Sequence, residues 1–160
     1  MIKKTIQLTL PIIFMLCCEY PCKNNNINLG FIGFSPTEID TLIVKSFKPN
    51  DNFHQPFDTI LIRNFAGGGS IYTVINDTTF VYVNDSNPSH NISPGFDWQI
   101  YIPAKNRTIS ISNIVSESKE GGKRCLNPIT SFVQDGVPIV PTFSNGNKLY
   151  ISDYIAYIYN

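Results

Sequence analysis

The sequence predicts an all-β protein: a single antiparallel β-sandwich, or a small barrel, of about eight or nine short strands. Composition is the first reason. Of 160 residues only 15% are charged, while 11 Phe, 8 Tyr and abundant Ile and Thr suit a pleated, half-buried surface. Spacing is the second, because short apolar runs recur between Gly, Pro, Asn and Asp clusters at fairly regular intervals. The third is a phrase written twice. Residues 39–47 read Ile-Asp-Thr-Leu-Ile-Val-Lys-Ser-Phe, and residues 57–65 read Phe-Asp-Thr-Ile-Leu-Ile-Arg-Asn-Phe.

Taken in order, Leu29 to Phe34 is a short apolar strand ending at Ser35-Pro36. Ser35-Pro-Thr-Glu38 has the form of a helix capping box, but the β-branched run that follows, and its near-copy, argue for strands. In each copy Leu42/Ile60 and Val44/Ile62 share one face, and Thr41/Thr59, Ile43/Leu61 and Lys45/Arg63 share the other. Both faces are apolar at the centre, which predicts strands covered on both sides at mid-length. If the copies pair antiparallel, each cation falls near the Asp-Thr end of the other strand. The polar connection 48–56 between them suits a broad loop or a crossing between sheets.

Gly67-Gly-Gly69 turns the chain into strands at 71–75 and 78–83, separated by Asn76-Asp77. A long turn-rich loop runs from Asn84 to Gly95. Residues 96–102 and 107–115 make the clearest hairpin, turning at Pro103-Ala-Lys-Asn106. Residues 129–134 lead through Asp135-Gly136 to an extended stretch at 137–143, whose two prolines mark an edge strand. Alternation at 148–159 predicts the last strand.

Charge and motifs exclude several functions. Lys plus Arg equals Asp plus Glu at 12 each, with no basic block beyond Lys123-Arg124, so nucleic acid is not an expected partner. The triple glycine lacks the Lys-Ser/Thr pair of a phosphate loop, Ser70-Ile71 standing there instead. His54 and His90 have no neighbours at metal-ligand spacing, and no serine sits in a nucleophile elbow. A Ser-His-Asp triad assembled by the fold stays open. No residue argues positively for an enzyme, and no metal or cofactor is expected. Trp98 and Tyr101 are the candidate ligand-binding residues: on an exposed strand face their rings would stack on sugars. Alternation equally puts Trp98 with Ile100 and Ile102 on the core side.

The N-terminus carries an address. Met1-Ile-Lys-Lys precedes an apolar run from Ile6 to Leu16, too short to span a bilayer and suited to a secretory signal. Cys17-Cys18 follows, then Glu19-Tyr-Pro-Cys22 and an Asn-rich stretch. This segment resembles the signal of bacterial lipoproteins, and its style is similar to that of the small lipoproteins of Bacteroidota. The resemblance implies residues 1–17 as signal peptide, 18–28 as lipid-anchored flexible tether and 29–160 as the sandwich domain. It implies acylation of Cys18, with Cys17 the alternative; Cys18 fits better because a small residue precedes it. Acylated Cys18 leaves Cys22 and Cys125, an even pair for a disulfide in an oxidising compartment. Loss of Lys3 and Lys4 with the signal lowers the net charge from 0 to −2. Asp40-Thr41, Asp58-Thr59 and Asp77-Thr78 resemble the Bacteroidota O-glycosylation motif, with Thr78 at a turn the best acceptor.

The expectation is therefore a protein of the cell envelope, held by its N-terminal lipid in the outer membrane. Its role would be binding or structural, in contact with another envelope protein. A glycan-binding module is the alternative, and a small hydrolase the third.

Overall fold

The computed structural model describes residues 23–63, 70–83, 90–118, 126–141 and 154–160. Among the described residues twelve strands form in chain order: β1 (Lys23–Asn24), β2 (Asn28–Ile32), β3 (Thr41–Phe47), β4 (Pro56–Arg63), β5 (Ser70–Ile75), β6 (Thr78–Val83), β7 (Asp97–Ile102), β8 (Arg107–Ser116), β9 (Leu126–Asn127), β10 (Ile129–Gln134), β11 (Val137–Ile139) and β12 (Ile155–Tyr159). No α-helix occurs among the described residues; a 3-10 turn at Pro103–Lys105 joins β7 to β8.

The strands build a β-sandwich that is not closed into a barrel. One sheet has six strands in the order β11-β10-β8-β7-β3-β4, the other four in the order β12-β2-β6-β5. Alternation sends Leu42, Val44, Ile62, Trp98, Ile100, Ile102, Ile109 and Ile111 of the first sheet into the core. Leu29, Phe31, Val81, Ala156 and Ile158 of the second meet them. Most pairs are antiparallel, as expected, but β12 joins β2 in parallel and β1 joins β9 in parallel. Gly30 of β2 has no room for a side chain, since a Cβ there would meet Ile155 Cγ2 at 2.9 Å and a Tyr157 ring carbon at 3.1 Å. The last strand can lie this close only against glycine.

The duplicated phrase forms two neighbouring strands of one sheet. β3 and β4 pair antiparallel with Thr41 opposite Arg63, Leu42 opposite Ile62, Val44 opposite Ile60 and Lys45 opposite Thr59. Each cation thus faces the threonine of the other copy. The connection is a broad hairpin loop rather than a crossing, with Asn50, Asn52 and Phe53 at positive φ. Phe53 packs edge-on against Phe47 at 5.2 Å. Coverage on both sides, expected from the apolar centres, does not occur: the core covers Leu42, Val44 and Ile62, while Leu61 on the opposite face is 51% exposed.

Local signals explain the other connections. Ser35–Glu38 keeps the hydrogen bonds of a capping box without a helix: Ser35 N–H donates to Glu38 Oε2 at 2.8 Å, and Glu38 N–H to Ser35 O at 3.0 Å. The β-branched run beyond it then pairs as β3. Asn76-Asp77 and Asp135-Gly136 each place two residues at positive φ between strands, the two-residue hairpin for which Asn, Asp and Gly are suited. Asp97, buried at the start of β7, accepts the Asn50 N–H on Oδ2 at 3.1 Å and the Asn113 N–H on Oδ1 at 3.3 Å. It ties the β3–β4 loop to the irregular middle of β8.

One expected boundary moves. Residues 23–28, assigned to the flexible tether, belong to the folded body. Ile27 is 1% exposed and donates its N–H to Ile92 O at 2.7 Å, and Asn28 N–H bonds Tyr154 O at 2.8 Å. Their Asn-rich composition suggested a solvated spacer, but the apolar Ile27 and Leu29 secure the segment to the core. The signal, Cys17, Cys18, Cys22, Cys125 and the triple glycine lie outside the described residues.

Candidate binding surface

Register decides which side chains meet on the outer face of the six-stranded sheet. Leu61 of β4 is opposite Ile43 of β3, Ile43 is opposite Tyr101 of β7, and Tyr101 is opposite Thr108 of β8. One residue pair along, Thr59, Lys45, Gln99 and Ser110 form the next row. Beyond Leu61, Arg63 is opposite Thr41. The result is an apolar row, Leu61–Ile43–Tyr101, with the cations Lys45 and Arg63 on either side of it. Neither cation has an ion-pair partner among the described residues. Tyr101 is half-buried and donates its hydroxyl to Asn106 Oδ1 at 3.1 Å, which holds the ring along the row.

The row ends at a strand edge. β4 is the outermost strand of its sheet, and Leu61 and Phe57 are 51% and 56% exposed. At the other end of β4 the register slips between Ser46 and Phe47, leaving Phe57 as the extra residue of a bulge. Its ring lies against Phe96 at 5.3 Å, and Phe96 packs edge-on against Trp98 at 5.9 Å. Beside them His90 Nε2 is 3.2 Å from Asp58 Oδ2, which fastens the segment before β7 to β4.

The candidate ligand residues do not come together. Trp98 and Tyr101 project to opposite faces of β7, and Trp98 is fully buried. Its indole N–H donates to Ser93 O at 3.2 Å. The pairing of these two as a sugar platform is corrected: Trp98 is a core residue that offers no face to a ligand, while Tyr101 belongs to the outer row. Alternation already separated them, and the missed residues, Ile43, Leu61, Lys45 and Arg63, carried the same signal. Only the knowledge that β4 is an edge was lacking.

A catalytic arrangement at the His90–Asp58 contact would need a nucleophile within reach of the imidazole. The serine nearest in register is Ser46, opposite both Asp58 and Trp98. It is 1% exposed and its Oγ has no hydrogen-bond partner, so it is neither activated by His90 nor reachable by substrate. His54 turns inward on its own loop, its Nδ1 2.6 Å from Asp51 O. No group of three or more His, Cys, Asp or Glu is gathered for a metal ion among the described residues.

Glu38 Oε1 meets Lys105 Nζ at 2.7 Å. That hydrogen bond, with the Ser35 N–H, holds the Glu38 carboxyl below the usual range. The contact joins the entry of β3 to the β7–β8 turn. Of the motif threonines, Thr59 is exposed on β4, and Thr78 is half-buried at the start of β6, between β2 and β5. No family model, curated protein or solved structure matches the chain.

Proposed function

We propose that this is a lipid-anchored protein of the bacterial cell envelope that binds a second envelope protein through the outer face of β3, β4 and β7. The anchoring part rests on the N-terminal signal and its tandem cysteines. The binding part rests on one observation: an apolar row ending at a strand that is outermost among the described residues, flanked by two cations with no ion-pair partner among those residues. Such a surface fits a partner with an apolar centre and carboxylates at its rim, so that contact desolvates Leu61 and Ile43 while Lys45 and Arg63 steer the encounter.

This reading stands ahead of the glycan module because the buried Trp98 removes the stacking face on which that alternative depended. It stands ahead of a hydrolase because Ser46, the serine nearest in register to the His90–Asp58 contact, is buried and its Oγ makes no hydrogen bond.

Two measurements test it. Mass spectrometry of the mature N-terminus should find an acylated Cys18; an unmodified first residue other than Cys17 or Cys18 removes the anchor. Chemical crosslinking on intact cells should give one defined heavier adduct, reduced at least tenfold in Lys45→Glu/Arg63→Glu. Recovery of the monomer alone removes the partner.

A further inference from the structure

Hydrogen-bond parity decides which main-chain groups of β4 face away from the sheet. Ser110 of β8 turns both its backbone groups toward β10: Asp135 N–H donates to Ser110 O at 3.0 Å, and Ser110 N–H donates to Asp135 Oδ1 at 2.8 Å. In an antiparallel strand the N–H and C=O of one residue point to the same side, and those of the next residue to the other. Ile109 and Ile111 therefore bond Ile100 and Trp98, Tyr101 and Gln99 bond Ile43 and Lys45, and Leu42 and Val44 bond Ile62 and Ile60. Thr59, Leu61 and Arg63 are left pointing outward. Thr59 N–H is met by Asp58 Oδ1 at 2.7 Å, in agreement with this parity. The N–H groups of Leu61 and Arg63 and the carbonyls of Thr59 and Leu61 have no partner among the described residues.

Other edges are treated differently. Asn28 N–H donates to Tyr154 O and Asn160 N–H to Ile32 O, so the carbonyls of Tyr157 and Tyr159 face away from β2. Both are capped from the six-stranded sheet, Tyr157 O by Gln134 Nε2 at 2.8 Å and Tyr159 O by Arg107. At the far side of that sheet β11 has three residues, with Pro138 in the middle. β5 carries no charged residue that would select a partner. β4 runs for eight residues, has its proline in the first position, and keeps Phe57 and Leu61 exposed. Capping, shortening and internal proline are the means by which proteins blunt an edge, and an edge without them is a template for another strand.

We propose that the partner binds by strand addition, an extended segment of it pairing antiparallel with the outer edge of β4. The inference rests on the partner reading above and names its mode of recognition. Every pair within the six-stranded sheet is antiparallel, which sets the direction. The partner residue opposite Leu61 exchanges both main-chain hydrogen bonds with it and extends the row Tyr101–Ile43–Leu61, so it is apolar, as Ile43 is on the β3 side. Two residues earlier the partner faces Arg63, and two residues later it faces Thr59 in the row that holds Lys45. Both cations lack an ion-pair partner among the described residues, so carboxylates belong at these two positions. The occupant is a strand of the form Asp/Glu-x-apolar-x-Asp/Glu, held by its main chain and selected by its side chains.

The test has two arms. In the first, amide hydrogen exchange is followed by NMR on the purified full chain in detergent. Ile60 and Ile62 should exchange about a hundredfold more slowly than Leu61 and Arg63. Slow exchange of Leu61 and Arg63 in a monomer means that the chain covers its own edge. Slow exchange in a species that sediments as a dimer gives the edge to a second copy. Either result overturns the proposal. The second arm compares the crosslinked adduct on intact cells between Leu61→Pro and Leu61→Ala. Both remove the side chain, but only proline removes the outward N–H, and it leaves the bonds of Ile60 and Ile62 to β3 in place. With melting temperatures matched, the adduct should fall about tenfold further in Leu61→Pro. Equal yields overturn strand addition while the side-chain surface stands, and no adduct from the unsubstituted chain removes the partner and this inference with it.

Discussion

β3 and β4 carry nearly the same nine-residue phrase, and they occupy unequal places. β3 lies between β4 and β7, with Leu42 and Val44 fully enclosed and the outer Ile43 half-covered by its neighbours. β4 has a strand on one side only among the described residues; Ile60 is half-buried and Leu61 is exposed. Local sequence makes both segments strands and fixes their mutual register. Position in the sheet then decides that one copy is core and the other is surface. Sequence identity of two strands is thus no guide to equality of burial, because burial belongs to the neighbours.

The largest expected effect separates the copies in energy. Leu42→Ala should destabilise by about 3 kcal/mol, and its counterpart Ile60→Ala by about 1 kcal/mol, from the difference in enclosed volume. Urea unfolding at unchanged slope measures both. Equal losses would mean that β4 is covered as fully as β3.

The loop joining the copies is held from outside by Asp97. Asp97→Ala leaves the Asn50 and Asn113 N–H groups without their acceptor and should cost about 2 kcal/mol, most of it regained in Asp97→Asn. A loss below about 0.5 kcal/mol would show that the hairpin holds its own loop.

The smallest effect concerns the entry to β3, which has a support that β4 lacks. The Glu38 carboxyl is held below its ordinary range in the folded protein. Its contribution is therefore present above the ordinary carboxylate range and is lost as pH falls through the folded value. Glu38→Gln should flatten a slight acid-side fall in melting temperature by lowering the neutral value slightly, with the acid end point unchanged. An unchanged acid limb would remove the Lys105 contact from the account.

Much of this fold was legible in the chain. Asn76-Asp77 and Asp135-Gly136 announced turns between strands, and the copied phrase announced two strands, because both are local chemistry; that the copies pair antiparallel stayed a condition until the register was seen. Three features were not legible, each for a non-local reason. Asn25 and its neighbours look like a spacer until Ile92 and Tyr154 supply backbone partners. The parallel pairs β2–β12 and β1–β9 join segments remote in sequence, and no periodicity encodes such a meeting. The outer row depends on β4 being last in its sheet: Leu61 alternates as a core residue would, and only the missing layer over it makes it surface. Trp98 was legible in part, since alternation grouped it with Ile100 and Ile102, but its separation from Tyr101 followed from the same parity and was overlooked.

The central claim is that the exposed copy, not the enclosed one, meets the partner. A photo-crosslinking residue introduced at Leu61, compared with one at Tyr157 on the outer face of the other sheet, tests it on intact cells. The account predicts a defined adduct from Leu61, abolished by Lys45→Glu/Arg63→Glu, and none from Tyr157. Adducts of equal yield from both positions, or from Tyr157 alone, would contradict it.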